Sequence, residues 1–192
     1  MRVKICGITG LEDARFAEKA GADAIGVVVF SGGISCRDVP PERARKIFHA
    51  IGPFTATIAV SHTKSKTDLA RMIALHPTAI QISYPFKFDE NPGVRVIRVI
   101  GSGDQLPDDC DAVIVDNSHG RGKGYDRSYA RDVVKHSTIP VILAGGLTPE
   151  NVGNAIRDIR PYAVDVASGV EERPGIKDHN KIEAFIAAAR EE

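Results

Sequence analysis

At 192 residues the chain has the length of one ordinary domain, long enough to bury a full core without disulfide or metal staples. Lys and Arg together number 25, as do Asp and Glu, which excludes the basic surplus that nucleic acid or anionic lipid requires and leaves a small molecule as the expected partner. Three cysteines, Cys6, Cys36 and Cys110, show neither C-x-x-C spacing nor an even count, which excludes a disulfide framework and a structural zinc site and points to a reducing cytoplasm.

Val3 to Cys6 forms a short apolar strand that runs into Gly7, and Thr9-x-x-Glu12 reads as a capping box ahead of Leu11, Ala14, Ala17 and Ala20. Ala24 to Val29 is a second strand. Pro41 then stands where a first helical residue belongs, before Ala44, Ile47 and Phe48. Phe54 to Val60 is a third strand, and Ser65-x-x-Asp68 opens a helix with Leu69, Met72 and Ile73 on one face. Strands four, five and six cover Ala79 to Ile82, Val94 to Ile100 and Ala112 to Val115. A helix is expected from Tyr129 to Val134, followed by a seventh strand from Ile139 to Leu143. Thr148-Pro149-Glu150 reads as a cap and first turn, Ala163 to Val166 as the eighth strand, and Asp178 as the cap of a last helix carrying Ile182, Phe185, Ile186 and Ala189. No apolar run approaches the roughly 18 residues of a membrane span, and the N-terminus reads as strand, so a soluble and unprocessed protein is expected.

Apolar strands alternating with helices suit a parallel sheet covered on both faces, and eight of them close most simply as a (β/α)8 TIM barrel, one domain over residues 1–192. Two connections are too short for this pattern. Pro85 and Pro92 interrupt the chain between strands four and five, and Gly103 and Pro107 interrupt it between strands five and six. With those helical connections shortened, barrel wall is expected to lie exposed nearby, a candidate contact for a homodimer.

Chemistry in this fold gathers at the C-terminal ends of the strands. Cys6 stands at the end of the first, where a reactive thiol and a packed, inert one are both open readings. Asp116 ends the sixth, as a general acid or base or as the cap of a turn with Asn117 and Ser118. Gly145-Gly146 follows the seventh strand and Ser168-Gly169 the eighth, and glycine turns in those two places are the usual phosphate cradle, often completed by a short extra helix. Asp165, near the end of strand eight, either bonds a sugar hydroxyl or ties down a loop. Arg37, in the loop after strand two, either grips a carboxylate through its fork or is solvated. Gly120-Arg-Gly-Lys-Gly124 lacks the spacing of a nucleotide loop and reads as a lid beside strand six. The six histidines lack metal-ligand spacing, read as surface or packing residues, and no metal is expected.

Lys4-Ile-Cys6-Gly7-Ile-Thr9, Ser35-x-Arg37-x-Val39-x-Pro41, Val115-Asp116, Gly122-Lys-Gly-Tyr-Asp126, Gly145-Gly-Leu-Thr-Pro-Glu-Asn-Val152 and Asp165-Val-Ala-Ser-Gly-Val-Glu171 together resemble phosphoribosylanthranilate isomerase, from residue 4 to the last helix. The resemblance implies an Amadori rearrangement of N-(5-phosphoribosyl)anthranilate in tryptophan biosynthesis, without a cofactor. It implies Asp116 as the acid that protonates the furanose oxygen and Cys6 as the base that removes the C2 proton. Arg37 would hold the anthranilate carboxylate and the two glycine turns the phosphate. Ser83 stands where family members often carry histidine, and Ser31-Gly32-Gly33 replaces a proline-containing form; both bear on contacts to the anthranilate ring. Other phosphosugar barrels are rivals. The related isomerase of histidine biosynthesis has aspartate at the Cys6 position, and Schiff-base aldolases need a lysine at a strand end, where none is found. A non-catalytic phosphate binder is the remaining alternative.

Overall fold

The computed structural model describes residues 1–88, 91–116 and 124–192. Eight parallel strands close into a barrel in sequential order, β1 (Arg2–Ile5), β2 (Ala24–Val28), β3 (Ala56–Ser61), β4 (Ala79–Ile82), β5 (Arg95–Ile100), β6 (Ala112–Val115), β7 (Val141–Leu143) and β8 (Ala163–Val166). Around them lie α1 (Leu11–Lys19), α2 (Pro41–Ala50), α3 (Lys66–Ile73), α4 (Arg127–His136), α5 (Val152–Ile159) and α6 (His179–Arg190). Among the described residues no helix is long and apolar enough to cross a membrane.

The two-residue period of each strand divides the core in two. One set of side chains, including Cys6, Val28, Ile58, Ile97, Ile114 and Ile142, fills the barrel. The other, including Val3, Ile5, Val27, Ile80, Val113 and Leu143, meets the apolar faces of the helices. Ala44, Ile47 and Phe48 of α2 and Ile182, Phe185, Ile186 and Ala189 of α6 are buried as their spacing predicts. Ser65 and Asp178 cap α3 and α6 by accepting the backbone N–H three residues on.

Two predicted caps differ. Thr9 does not cap α1: Gly10 holds that position, Leu11 is half-exposed, and the Thr9 hydroxyl donates to the carbonyl of Gly175, 2.6 Å away. A long-range acceptor outcompetes the local box there. Thr148-Pro149-Glu150 forms a turn ahead of α5, with Asn151 as the residue before the helix. The Asn151 side chain turns back, accepting from Thr148 N at 2.8 Å and donating to Gly146 O at 2.9 Å, so it holds the glycine turn instead of the helix end.

Among the described residues no helix joins β4 to β5 or β5 to β6, as the prolines predict. The expected bare wall is not there. Val96, Ile100, Ile80 and Ile82 are all buried, covered in part by Phe86, itself 3% exposed. Arg98 secures that cover from β5. Its guanidinium donates to the carbonyl oxygens of Tyr84, at 2.9 Å, and Phe86, and reaches Asp109 at 2.6 Å. A charged staple does here what a helix does elsewhere, and among the described residues Tyr84 and Leu106 are the large exposed apolar groups on that side.

Candidate active site

A cavity of about 230 Å³ opens at the C-terminal end of the barrel, and every strand or the residue after it contributes to its wall: Cys6, Val28, Val60, Gln81, Val99, Asp116, Ala144 and Asp165. Arg37, Gly145, Gly146 and Ser168 also line it. Residues predicted from separate motifs thus share one pocket, and the backbone holds the two key ones rigidly. Cys6 N donates to Val166 O at 2.8 Å and Asp116 N to Ile100 O at 3.0 Å, each extending the sheet by one residue. The turn of Asp116 with Asn117 and Ser118, and the predicted lid at 120–124 save for Gly124, lie outside the described residues.

Cys6 is 7% exposed and at the same time a wall of the cavity, so its burial and its access to a ligand coexist. Burial pushes the thiol up and the Asp165 carboxylate adds to the rise, while the ammonium groups of Lys4 and Lys177 work against it. Gly7, next in the chain, has φ +72, and a Cβ there would lie 2.3 Å from Arg37 Cδ, so the Arg37 stem lies directly on this backbone.

The two turns predicted as a phosphate cradle come together. Gly145 and Gly146 turn with φ of +97 and +65. A single 3₁₀ turn at Ser168–Val170 supplies the short extra helix. The two turns touch: a Cβ on Gly169 would lie 1.9 Å from the carbonyl oxygen of Leu147. Gly169 thus packs against the turn after β7, and Gly145, Gly146 and Ser168 line the cavity.

Arg37 is not solvated. Its Nε and Nη2 donate to the two carboxylate oxygens of Glu171, both at 2.7 Å, and Glu171 Oε1 also accepts from Lys177 Nζ at 3.0 Å. Lys177 and Glu171 come from a hairpin after the 3₁₀ turn, β9 (Glu171–Arg173) and β10 (Ile176–Lys177). Asp165 ties down no loop. It is buried, paired in register with Lys4 across the β1–β8 edge, and its Oδ1 accepts from Lys4 Nζ at 2.8 Å.

Several residues of this site were not foreseen. Lys4, Gln81, Glu171 and Lys177 are buried, and the first two interrupt otherwise apolar strands, which is the signal that a charged or polar group points inward. His62, read as a surface or packing residue, lines the cavity and bonds through Nδ1 to Ser83 Oγ at 3.2 Å. Gln81 Oε1 is buried with no hydrogen-bond partner among the described residues.

The family model for N-(5′-phosphoribosyl)anthranilate (PRA) isomerase matches residues 3–188 of this chain. The chain belongs to the phosphoribosylanthranilate isomerase family. It is 65% identical over 191 residues to the N-(5′-phosphoribosyl)anthranilate isomerase of Methanoregula boonei, covering 100% of this chain and 97% of that one. Among solved structures it resembles the phosphoribosylanthranilate isomerase of Thermus thermophilus, with a TM-score of 0.85 and 35% identity over 100% of this chain and 99% of the other. It also resembles a phosphoribosylanthranilate isomerase solved with reduced 1-(o-carboxyphenylamino)-1-deoxyribulose 5-phosphate, with a TM-score of 0.80 and 32% identity over the whole of both chains.

Proposed function

We propose that this chain, acting as one catalytic domain over residues 1–192, carries out the phosphoribosylanthranilate isomerase reaction of tryptophan biosynthesis with Asp116 as general acid and Cys6 as general base. The substrate, N-(5-phosphoribosyl)anthranilate, becomes 1-(o-carboxyphenylamino)-1-deoxyribulose 5-phosphate. Asp116 gives its proton to the furanose ring oxygen, which opens the sugar to a protonated Schiff base. Cys6 takes the C2 proton, leaving an enolamine that tautomerises to the ketose. The route needs no cofactor, because each step moves one proton between the substrate and a side chain on this barrel.

The observation that carries this reading is that Cys6 on β1 and Asp116 after β6 line one cavity together with the Gly145-Gly146 and Ser168 turns. A phosphate held in the cradle places the sugar between the acid and the base. Arg37 grips the anthranilate carboxylate, with Glu171 fixing the plane of its guanidinium. Asp165 and the unpartnered Gln81 Oε1 take substrate O–H or N–H donors.

The test is the decay of anthranilate fluorescence from freshly generated phosphoribosylanthranilate. Wild type is expected to turn over, and Cys6→Ala and Asp116→Ala to lose at least about 100-fold in kcat with circular dichroism unchanged. Full activity in either variant refutes its role. No turnover by wild type refutes the reaction.

Cytoplasmic residence and homodimer formation belong to the same proposal. Cys6, Cys36 and Cys110 are all free thiols, as a reducing compartment permits. Tyr84 and Leu106, partly exposed on the side of the shortened connections, support self-association. A sedimentation mass of one chain at micromolar concentration counts against the dimer.

A further inference from the structure

Lys4 within β1 and Cys6 just after it stand two positions apart, so both side chains enter the barrel. Gly26 on β2 leaves the space that both occupy: a Cβ there would lie 2.8 Å from Cys6 Sγ and 3.1 Å from Lys4 Cε. On the other edge of β1, Asp165 holds Lys4 Nζ at 2.8 Å. We propose that Lys4 is a positioning residue for the base: its buried ammonium, anchored by Asp165 and given room by Gly26, is the counter-charge that favours the thiolate form of Cys6.

This rests on the reading of Cys6 as general base. The charged groups around the thiol are Lys4 on its own strand, Asp165 on β8, Lys177 on β10, Arg37 in the loop after β2, and Asp116 across the cavity. Arg37 and Lys177 are both tied to Glu171, and Lys177 Nζ also donates to Ala167 O at 2.9 Å. Lys4 shares its only carboxylate partner with no other cation among the described salt bridges. Burial alone would discharge Lys4, but Asp165 and Cys6 outweigh it and keep the ammonium protonated well above the ordinary lysine range. In the step itself the C2–H bond breaks, the proton passes to Sγ, and the electron pair forms the C1–C2 double bond as the iminium nitrogen regains its own pair. Lys4 and Asp165 keep their protonation states throughout.

The experiment follows Cys6 itself, by peptide-resolved mass spectrometry of iodoacetamide alkylation against pH, alongside the pH dependence of kcat. Lys4→Met is expected to move the Cys6 midpoint and the acid limb of kcat up by about one pH unit, roughly a tenfold loss of thiolate below the midpoint. Lys4→Arg restores most of the shift. Asp165→Asn moves the midpoint down, because the thiolate becomes the partner of Lys4. An unmoved midpoint in folded Lys4→Met, or an upward shift in Asp165→Asn, overturns the proposal. Should Lys4→Met fail to fold with Asp165 left unpaired, Lys4→Met/Asp165→Asn is compared with Asp165→Asn, and equal midpoints overturn it. A midpoint that moves while the kcat limb stays supports the hold of Lys4 on the thiol and refutes Cys6 as the base.

Discussion

Arg37 and Glu171, 134 positions apart in the chain, meet in a bidentate pair with both contacts at 2.7 Å, and Lys177 closes on the same carboxylate at 3.0 Å. Two cations on one anion leave net positive charge beside the cavity, where the proposed function puts the anthranilate carboxylate. Glu171→Gln removes the fork that sets the guanidinium plane. KM for phosphoribosylanthranilate is expected to rise at least about tenfold, roughly 1.4 kcal/mol, with a smaller change in kcat. Steady-state kinetics check this, and an unchanged KM counts against a positioning role.

The same carboxylate sets an acid limit on stability. Burial would raise Glu171, yet Arg37 and Lys177 outweigh it and hold the carboxyl below the usual glutamate range. A carboxyl lower in the folded than in the unfolded state contributes stability fully above the unfolded value of about 4.3 and loses it as pH falls through the folded value. The gap in urea stability between wild type and Glu171→Gln is therefore expected to narrow as pH drops from 6 to 3. A constant gap over that range would contradict the assignment.

Gly169→Ala tests the contact between the two turns proposed to hold the phosphate. A Cβ 1.9 Å from the Leu147 carbonyl oxygen forces backbone apart, not a flexible side chain. Thermal melts are expected to show a loss of about 1–3 kcal/mol. Inhibition by inorganic phosphate should weaken in parallel, since Leu147 directly follows Gly145-Gly146.

Arg98→Ala should separate stability from catalysis. Its guanidinium satisfies the carbonyl oxygens of Tyr84 and Phe86 and pairs with Asp109, while its own side chain is 6% exposed. Loss of these bonds is expected to cost about 2–4 kcal/mol in urea denaturation. Because Arg98 is not a wall of the cavity, kcat of the folded variant should stay near wild type.

The strands of this barrel were legible because parallel strands buried on both faces form short apolar runs, and the caps at Ser65 and Asp178 because their partners lie three residues away. Thr9 shows the limit of that logic. Its local box is intact in sequence, and the hydroxyl nevertheless bonds Gly175, 166 positions on. The bare wall expected beside β5 fails for the same reason, since nothing local to Arg98 announces that it will bind the carbonyl oxygens of another connection.

By itself the sequence determined eight strands, the short connections after the fourth and fifth, and a set of rim residues that includes Cys6, Asp116 and the two glycine turns. These depend on period, punctuation and order along the chain, all of which are local. Only the tertiary structure decided that Lys4 faces inward to Asp165, that Arg37 is clamped by Glu171, and that Gln81 and His62 share the cavity. Closing the barrel sets which face of a doubly buried strand points inward, and it brings charges more than 130 positions apart to within hydrogen-bonding distance.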